Sequence, residues 1–149
     1  MNPFDLKSVL FAKHAQHVAL VHFPIALIFV GAAFDLLSQR KQDLVLLRAA
    51  YFTVIAAAIA AVPTVVTGIL AWQLQFEGKV LRGNLKLHLL LALVSSALIW
   101  IVCGLHVVQQ RKPRAIPLGI RLAVEAIAVA VTLVTAHVGG FVSGVNSPF

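Results

Sequence analysis

Six histidines interrupt a chain with very little other polar chemistry: His14, His17, His22, His88, His106 and His137. Imidazole titrates near neutral pH and is the commonest metal ligand. Two imidazoles on facing helices, an apolar slot and nearby cations would hold haem b, the cations meeting its propionates. Three or four histidines, aided by carboxylate or thiolate, would hold copper or zinc. The acids nearest the cluster in sequence are Asp5 and Glu77. The single cysteine, Cys103, lies roughly 22 Å along a helix from His88, too far to join it, and can form no intrachain disulfide.

The elements that must position these residues follow from composition. Of 149 residues, 60% are apolar and only 11% are Asp, Glu, Lys or Arg, with mean hydropathy +0.96. Soluble domains carry about a quarter charged residues, so a water-soluble enzyme, a disordered tail and a secreted disulfide scaffold are excluded. The net charge of +7 is scattered between apolar runs as membrane flanks are, which argues against a nucleic-acid partner. Uncharged stretches at 14–34, 49–76, 87–110 and 126–149 each reach the roughly 20 residues that cross a bilayer. They predict helices near 19–38, 49–72, 86–108 and 118–138, because unpaired backbone in lipid costs several kcal/mol per group. Short polar links at 38–43, 73–84 and 109–117 predict an all-α, integral membrane, up-down-up-down four-helix bundle, one domain over 1–149. Pro63 is expected to kink the second helix, and the chain to leave helix at Gly139. Residues 4–16 suit a short interfacial helix, no cleavable signal is expected, and no internal repeat is evident.

In such a bundle the starts of helices one and three and the ends of two and four share a membrane face. His14, His17, His22, His88 and His137 gather there, and His106 alone lies at the other. A single histidine at a helix end ordinarily snorkels or bonds a carbonyl; five on one face, from three helices, point to a site. His22 and His88 are the expected axial pair, His137 the alternative ligand or a propionate partner, and His17 an orienting neighbour. The slot is expected to be lined by Phe23, Leu27, Val66, Leu91 and Leu133. Lys79, Arg82 and Lys86 are placed to meet propionates or, equally, lipid headgroups. Thr67, Gly68 and Trp72 belong to the same site, Gly68 permitting close approach and Trp72 first an interface anchor. Trp100 and Phe29 read as lipid-facing or core. At the other face, Arg121 and Glu125 are spaced as an i,i+4 pair, with a Glu125–His106 hydrogen bond, for proton entry or quinone contact, as the alternative. Seven cations (Arg40, Lys41, Arg48, Arg111, Lys112, Arg114, Arg121) against five (Lys7, Lys13, Lys79, Arg82, Lys86) lean both termini away from the cytoplasm.

His17-Val-Ala-Leu-Val-His22-Phe-Pro-Ile-Ala-Leu27 resembles the opening signature of the domain-of-unknown-function 2231 family, small four-helix bacterial membrane proteins. Thr67-Gly68 with Trp72, His88, and His137-x-Gly139-Gly140 are similar in order and spacing, so the resemblance spans roughly 15–145. Val18 replaces the usual proline, and the tail lacks a histidine that relatives often carry. Because members occur fused to Rieske or c-type cytochrome domains, the resemblance implies electron transfer in a bacterial inner membrane. The combined expectation is a non-catalytic, cytochrome b-like subunit of a membrane redox complex, exchanging electrons with protein partners and quinone. A copper- or zinc-binding membrane protein, using His17, His22, His88 and His137, and a structural or assembly subunit of a respiratory or photosynthetic complex are the rivals.

Overall fold

The computed structural model describes residues 15–75, 80–113 and 115–144. It is a bundle of four helices, α1 (Ala15–Lys41), α2 (Leu44–Gln75), α3 (Gly83–Arg111) and α4 (Leu118–Val142). All four are long and apolar enough to cross a membrane. At 1.5 Å per residue even α4 runs about 37 Å, more than the roughly 30 Å of hydrocarbon, so the helix ends reach the headgroups. Each helix therefore exceeds the span predicted from its uncharged core. Arg40 and Lys41 close α1 and Arg111 closes α3, where cations suit the negative end of the helix dipole and snorkel to water.

Local chemistry sets the turns. Gln42 takes a left-handed φ of 53° between α1 and α2. Asp43 then caps α2, its Oδ1 accepting from Val45 N at 2.7 Å and Leu46 N at 3.4 Å. Pro117 opens α4, its carbonyl accepting from Ile120 and Arg121. The expected exit from helix at Gly139 does not occur: α4 continues through Gly139-Gly140 to Val142. In lipid an unbonded carbonyl costs more than the roughly 1 kcal/mol that glycine forfeits in a helix. The proposed interfacial helix at 4–16 lies almost entirely outside the described residues.

Packing is closest within the hairpins α1/α2 and α3/α4, which meet along α2/α3 and α1/α4. The shared core is made of small and branched side chains, Ile28, Val54, Ala57, Ile99, Val102 and Ala128 among them. Phe29 and Trp100 are half exposed, as lipid-facing side chains are.

The two hairpins carry a repeat that is faint in the sequence. An offset of 71 residues carries His17 onto His88, Thr64 onto Thr135 and Gly68 onto Gly139. It also aligns Ala26-Leu27-Ile28 with Ala97-Leu98-Ile99, and Gln39-Arg40-Lys41 with Gln110-Arg111-Lys112. Burial follows the same register: Ile28 and Ile99 are both core, as are Ala57 and Ala128. Apolar drift elsewhere hides the repeat, because lipid-facing positions accept any apolar side chain.

Candidate functional site: a facing histidine pair

The α1 and α3 starts bring the rings of His17 and His88 to a centroid separation of 6.4 Å, with planes at 73°. Each ring is fixed by the neighbouring helix of its own hairpin. His17 Nδ1 lies 3.1 Å from the Thr64 carbonyl, and His88 Nδ1 lies 3.2 Å from the Thr135 carbonyl. A carbonyl only accepts, so Nδ1 carries the proton in both rings and Nε2 carries the lone pair. This is the tautomer a metal-ligating histidine needs, with the backbone carbonyl as its orienting partner.

The seat for each ring is a Thr-x-x-x-Gly turn. To reach the carbonyl of residue i on a neighbouring helix, a ring must lie over residue i+4. A Cβ at Gly68 would stand 2.9 Å from His17 Cε1, and one at Gly139 would stand 2.9 Å from His88 Cε1. Only glycine leaves that space. Thr64 and Thr135 turn their hydroxyls back to Ala60 and Val131 carbonyls at 2.8 and 2.7 Å, and the Thr64 carbonyl that meets the His17 ring also lies 3.1 Å from Thr67 Oγ1. Thr67 Oγ1 donates to the Pro63 carbonyl at 2.7 Å and lies 3.4 Å from His17 Nδ1.

A cavity of about 450 Å³ adjoins both histidines and is walled by all four helices, within the usual size of a cofactor pocket. Its wall mixes small residues, Ala61, Ala71, Ala92, Ala136 and Gly140 among them, with larger apolar side chains such as Ile25, Leu85 and Trp72. Thr132 Oγ1 is buried in this wall with no hydrogen-bond partner among the described residues.

Of the two histidines expected to face each other, His88 does so, and its counterpart is His17. His22 is exposed at the cavity's edge, its Nδ1 2.8 Å from the Val18 carbonyl one turn back. His137 is also exposed, its ring edge-on to Phe141 at 5.1 Å. Five residues separate His17 from His22, so they point about 140° apart around the helix and only one can face the bundle axis. Among the residues expected to line the slot, Phe23, Val66 and Leu133 point outward. Leu27 instead packs on the core, and Leu91 is half-buried away from the cavity wall. Arg82 and Lys86 are exposed at the start of α3, the end that carries the pair; Lys79 and His14 lie outside the described residues. Thr64, Thr135 and Gly139 were missed as ring seats, and the 71-residue offset is the signal that would have found them.

The opposite end holds a second polar group. Arg121 Nη2 donates to Asp35 Oδ1 at 2.8 Å, and its Nε stands 2.8 Å from Oδ2 at an angle too bent for a hydrogen bond. Glu125 Oε1 meets His106 Nε2 at 2.7 Å, whereas the anticipated Arg121–Glu125 pair is 3.9 Å apart. Arg121 therefore serves chiefly Asp35, which sequence spacing alone did not single out because the two are on different hairpins.

Fold and site together define an integral membrane four-helix bundle built from two matching hairpins, with one backbone-oriented histidine from each facing across an apolar cavity. Residues 13–145 match the DUF2231 family, described as predicted membrane proteins, and the chain belongs to it. No curated protein and no solved structure matches the chain.

Proposed function

We propose that this protein is a cytochrome b-like membrane subunit that holds one haem b between His17 and His88 and passes electrons to and from partners in a redox complex. The observation that carries the reading is the pair itself: two imidazoles in ligating tautomers at 6.4 Å. Two imidazoles on one metal, each Nε2 about 2.0–2.1 Å from it and each ring centre roughly 1.1 Å farther on, would have centroids up to about 6.3 Å apart. The largely apolar walls, the orphaned Thr132 hydroxyl and the exposed Arg82 and Lys86 suit a flat apolar ring with two carboxylates.

Held by His17 and His88, haem would supply a one-electron couple, hence carriage rather than conversion of substrate. The chain's own residues set its terms. Thr64 and Thr135 hold the imidazole tautomers and raise their basicity. Gly68 and Gly139 admit the rings, Trp72 lines the cavity, and Arg82 and Lys86 offer counter-charge at the boundary. A zinc centre would need four ligands, and beside the pair the described cavity wall adds only His22, turned back on its own helix.

Absorption spectra of the purified protein in detergent test the reading, together with metal content. A Soret band, α-bands on reduction and one iron per chain are expected, lost in His17→Ala and His88→Ala and kept in His22→Ala. Copper or zinc in place of iron, no tetrapyrrole, or binding indifferent to His17 and His88 overturns it.

A further inference from the structure

About 27 Å along α1 and α3 from the histidine pair, four ionisable side chains are buried together: Asp35 on α1, His106 on α3, and Arg121 and Glu125 on α4. None has a side chain more than 4% exposed. The 71-residue offset pairs Asp35 with His106, ionisable in both hairpins, but for the two on α4 the repeat shows that packing does not require charge. The 71-residue offset places Arg121 and Glu125 at the positions that α2 fills with Ala50 and Val54, both fully buried. Apolar side chains thus satisfy the same register, and buried ions generally stabilise a fold no better than apolar residues of similar size. Charge at this end of α4 calls for another explanation.

Charge counting supplies one. Arg121 is a permanent cation, and its two 2.8 Å approaches to Asp35 make a neutral unit. The contact of 2.7 Å between His106 Nε2 and Glu125 Oε1 needs a proton between the two atoms. Whether that proton rests on nitrogen or on oxygen, the quartet stays neutral. Glu125 Oε2 is buried without a hydrogen-bond partner among the described residues. Arg121, whose Nε lies 3.9 Å from Glu125 Oε1, also lines a cavity of about 340 Å³ with Gln39, Gln109 and Pro117. Gln39 Nε2 reaches Asp35 Oδ1 at 3.4 Å, and Gln109 Oε1 is buried there without a partner.

We infer that His106 and Glu125 form a proton-binding site within the membrane, filled and emptied through the cavity at Arg121. On release the proton passes to a water of that cavity, leaving Glu125 ionised and His106 neutral. Arg121, 2.8 Å from Asp35 and 3.9 Å from Glu125, then stands beside both carboxylates as their cation; uptake from water reverses the step. Asp35 from α1, itself contacted by Ser38 and Gln39, and Arg121 from α4 stand beside the pair. No ionisable side chain of α2 touches it among the described residues. The ligating atoms of Asp35, His106 and Glu125 lie within 4.8 Å of one another, but the guanidinium already provides the positive charge that a metal ion would bring.

The chain has only two glutamates, Glu77 and Glu125, so infrared spectroscopy can isolate one of them. In a Glu77→Gln protein labelled with carboxyl-¹³C glutamate and reconstituted in lipid, the remaining labelled band is that of Glu125. We expect it to convert reversibly between protonated and ionised forms between about pH 5 and 9, to exchange with D2O, and to shift its midpoint by about one pH unit or more in His106→Gln. A band fixed in one form across that interval and closed to exchange makes the quartet a static clasp and overturns the inference; so does titration indifferent to His106→Gln. Because the first measurement leaves the quartet intact, folding of a quartet variant is not needed to decide it.

Discussion

His17 and His88 acquire their chemistry from two glycines. The space over Gly68 and Gly139 is what lets each ring reach a threonine carbonyl, and a methyl there would meet ring carbon at 2.9 Å. Gly68→Ala and Gly139→Ala should each push a ring off its carbonyl and weaken haem affinity by about 10-fold or more, the usual scale when a ligand's orienting partner is lost. Haem titration of the apoprotein measures this. Gly104→Ala is the control, since nothing lies within 4 Å of its added Cβ. Equal affinity in all three variants would remove the ring-seat argument. The six histidines were legible as candidates; their sorting was not. The axial pair expected from depth along the helices was His22 with His88, but depth ignores azimuth, and a five-residue step turns His22 away from the axis.

At the scale of helices, two kinds of contact hold the hairpins together. Within the first, Gly31 lets α1 pass tightly over Val54 of α2: a Cβ there would stand 2.8 Å from Val54 Cγ2. Gly31→Ala should destabilise the bundle by about 1–3 kcal/mol, read as earlier unfolding in a detergent denaturation series. Between the hairpins, the Asp35–Arg121 pair ties α1 to α4. Asp35→Leu alone strands a buried guanidinium and should cost about 3–5 kcal/mol, whereas Asp35→Leu with Arg121→Leu should recover most of that loss. A double variant no better than the single would show that the pair is not acting as a unit. The i,i+4 spacing of Arg121 and Glu125 was readable along one helix; the stronger Asp35 partner was not, because it comes from a helix 86 residues away.

For the whole molecule, the repeat places the histidine pair, one ligand from each hairpin, at one end and the buried quartet at the other. The seven-to-five cation bias predicts that the histidine end, and both termini, lie on the non-cytoplasmic side. Reporter fusions test this: one after residue 144 should report translocation and one at residue 113 should not. The reverse pattern would turn the protein over and place the proposed haem site toward the cytoplasm.

The sequence by itself determined the membrane setting, the number and type of spans, their antiparallel order and the family. Each follows from summed apolar free energy along one dimension, which tolerates errors of a few residues at every helix end. The tertiary structure alone decided which histidines meet, that threonine carbonyls four residues before two glycines orient them, and that Arg121 belongs to Asp35. Those outcomes depend on the rotation of each helix about its axis and on close approach between hairpins. A difference of one or two residues reverses them, and hydropathy does not encode it.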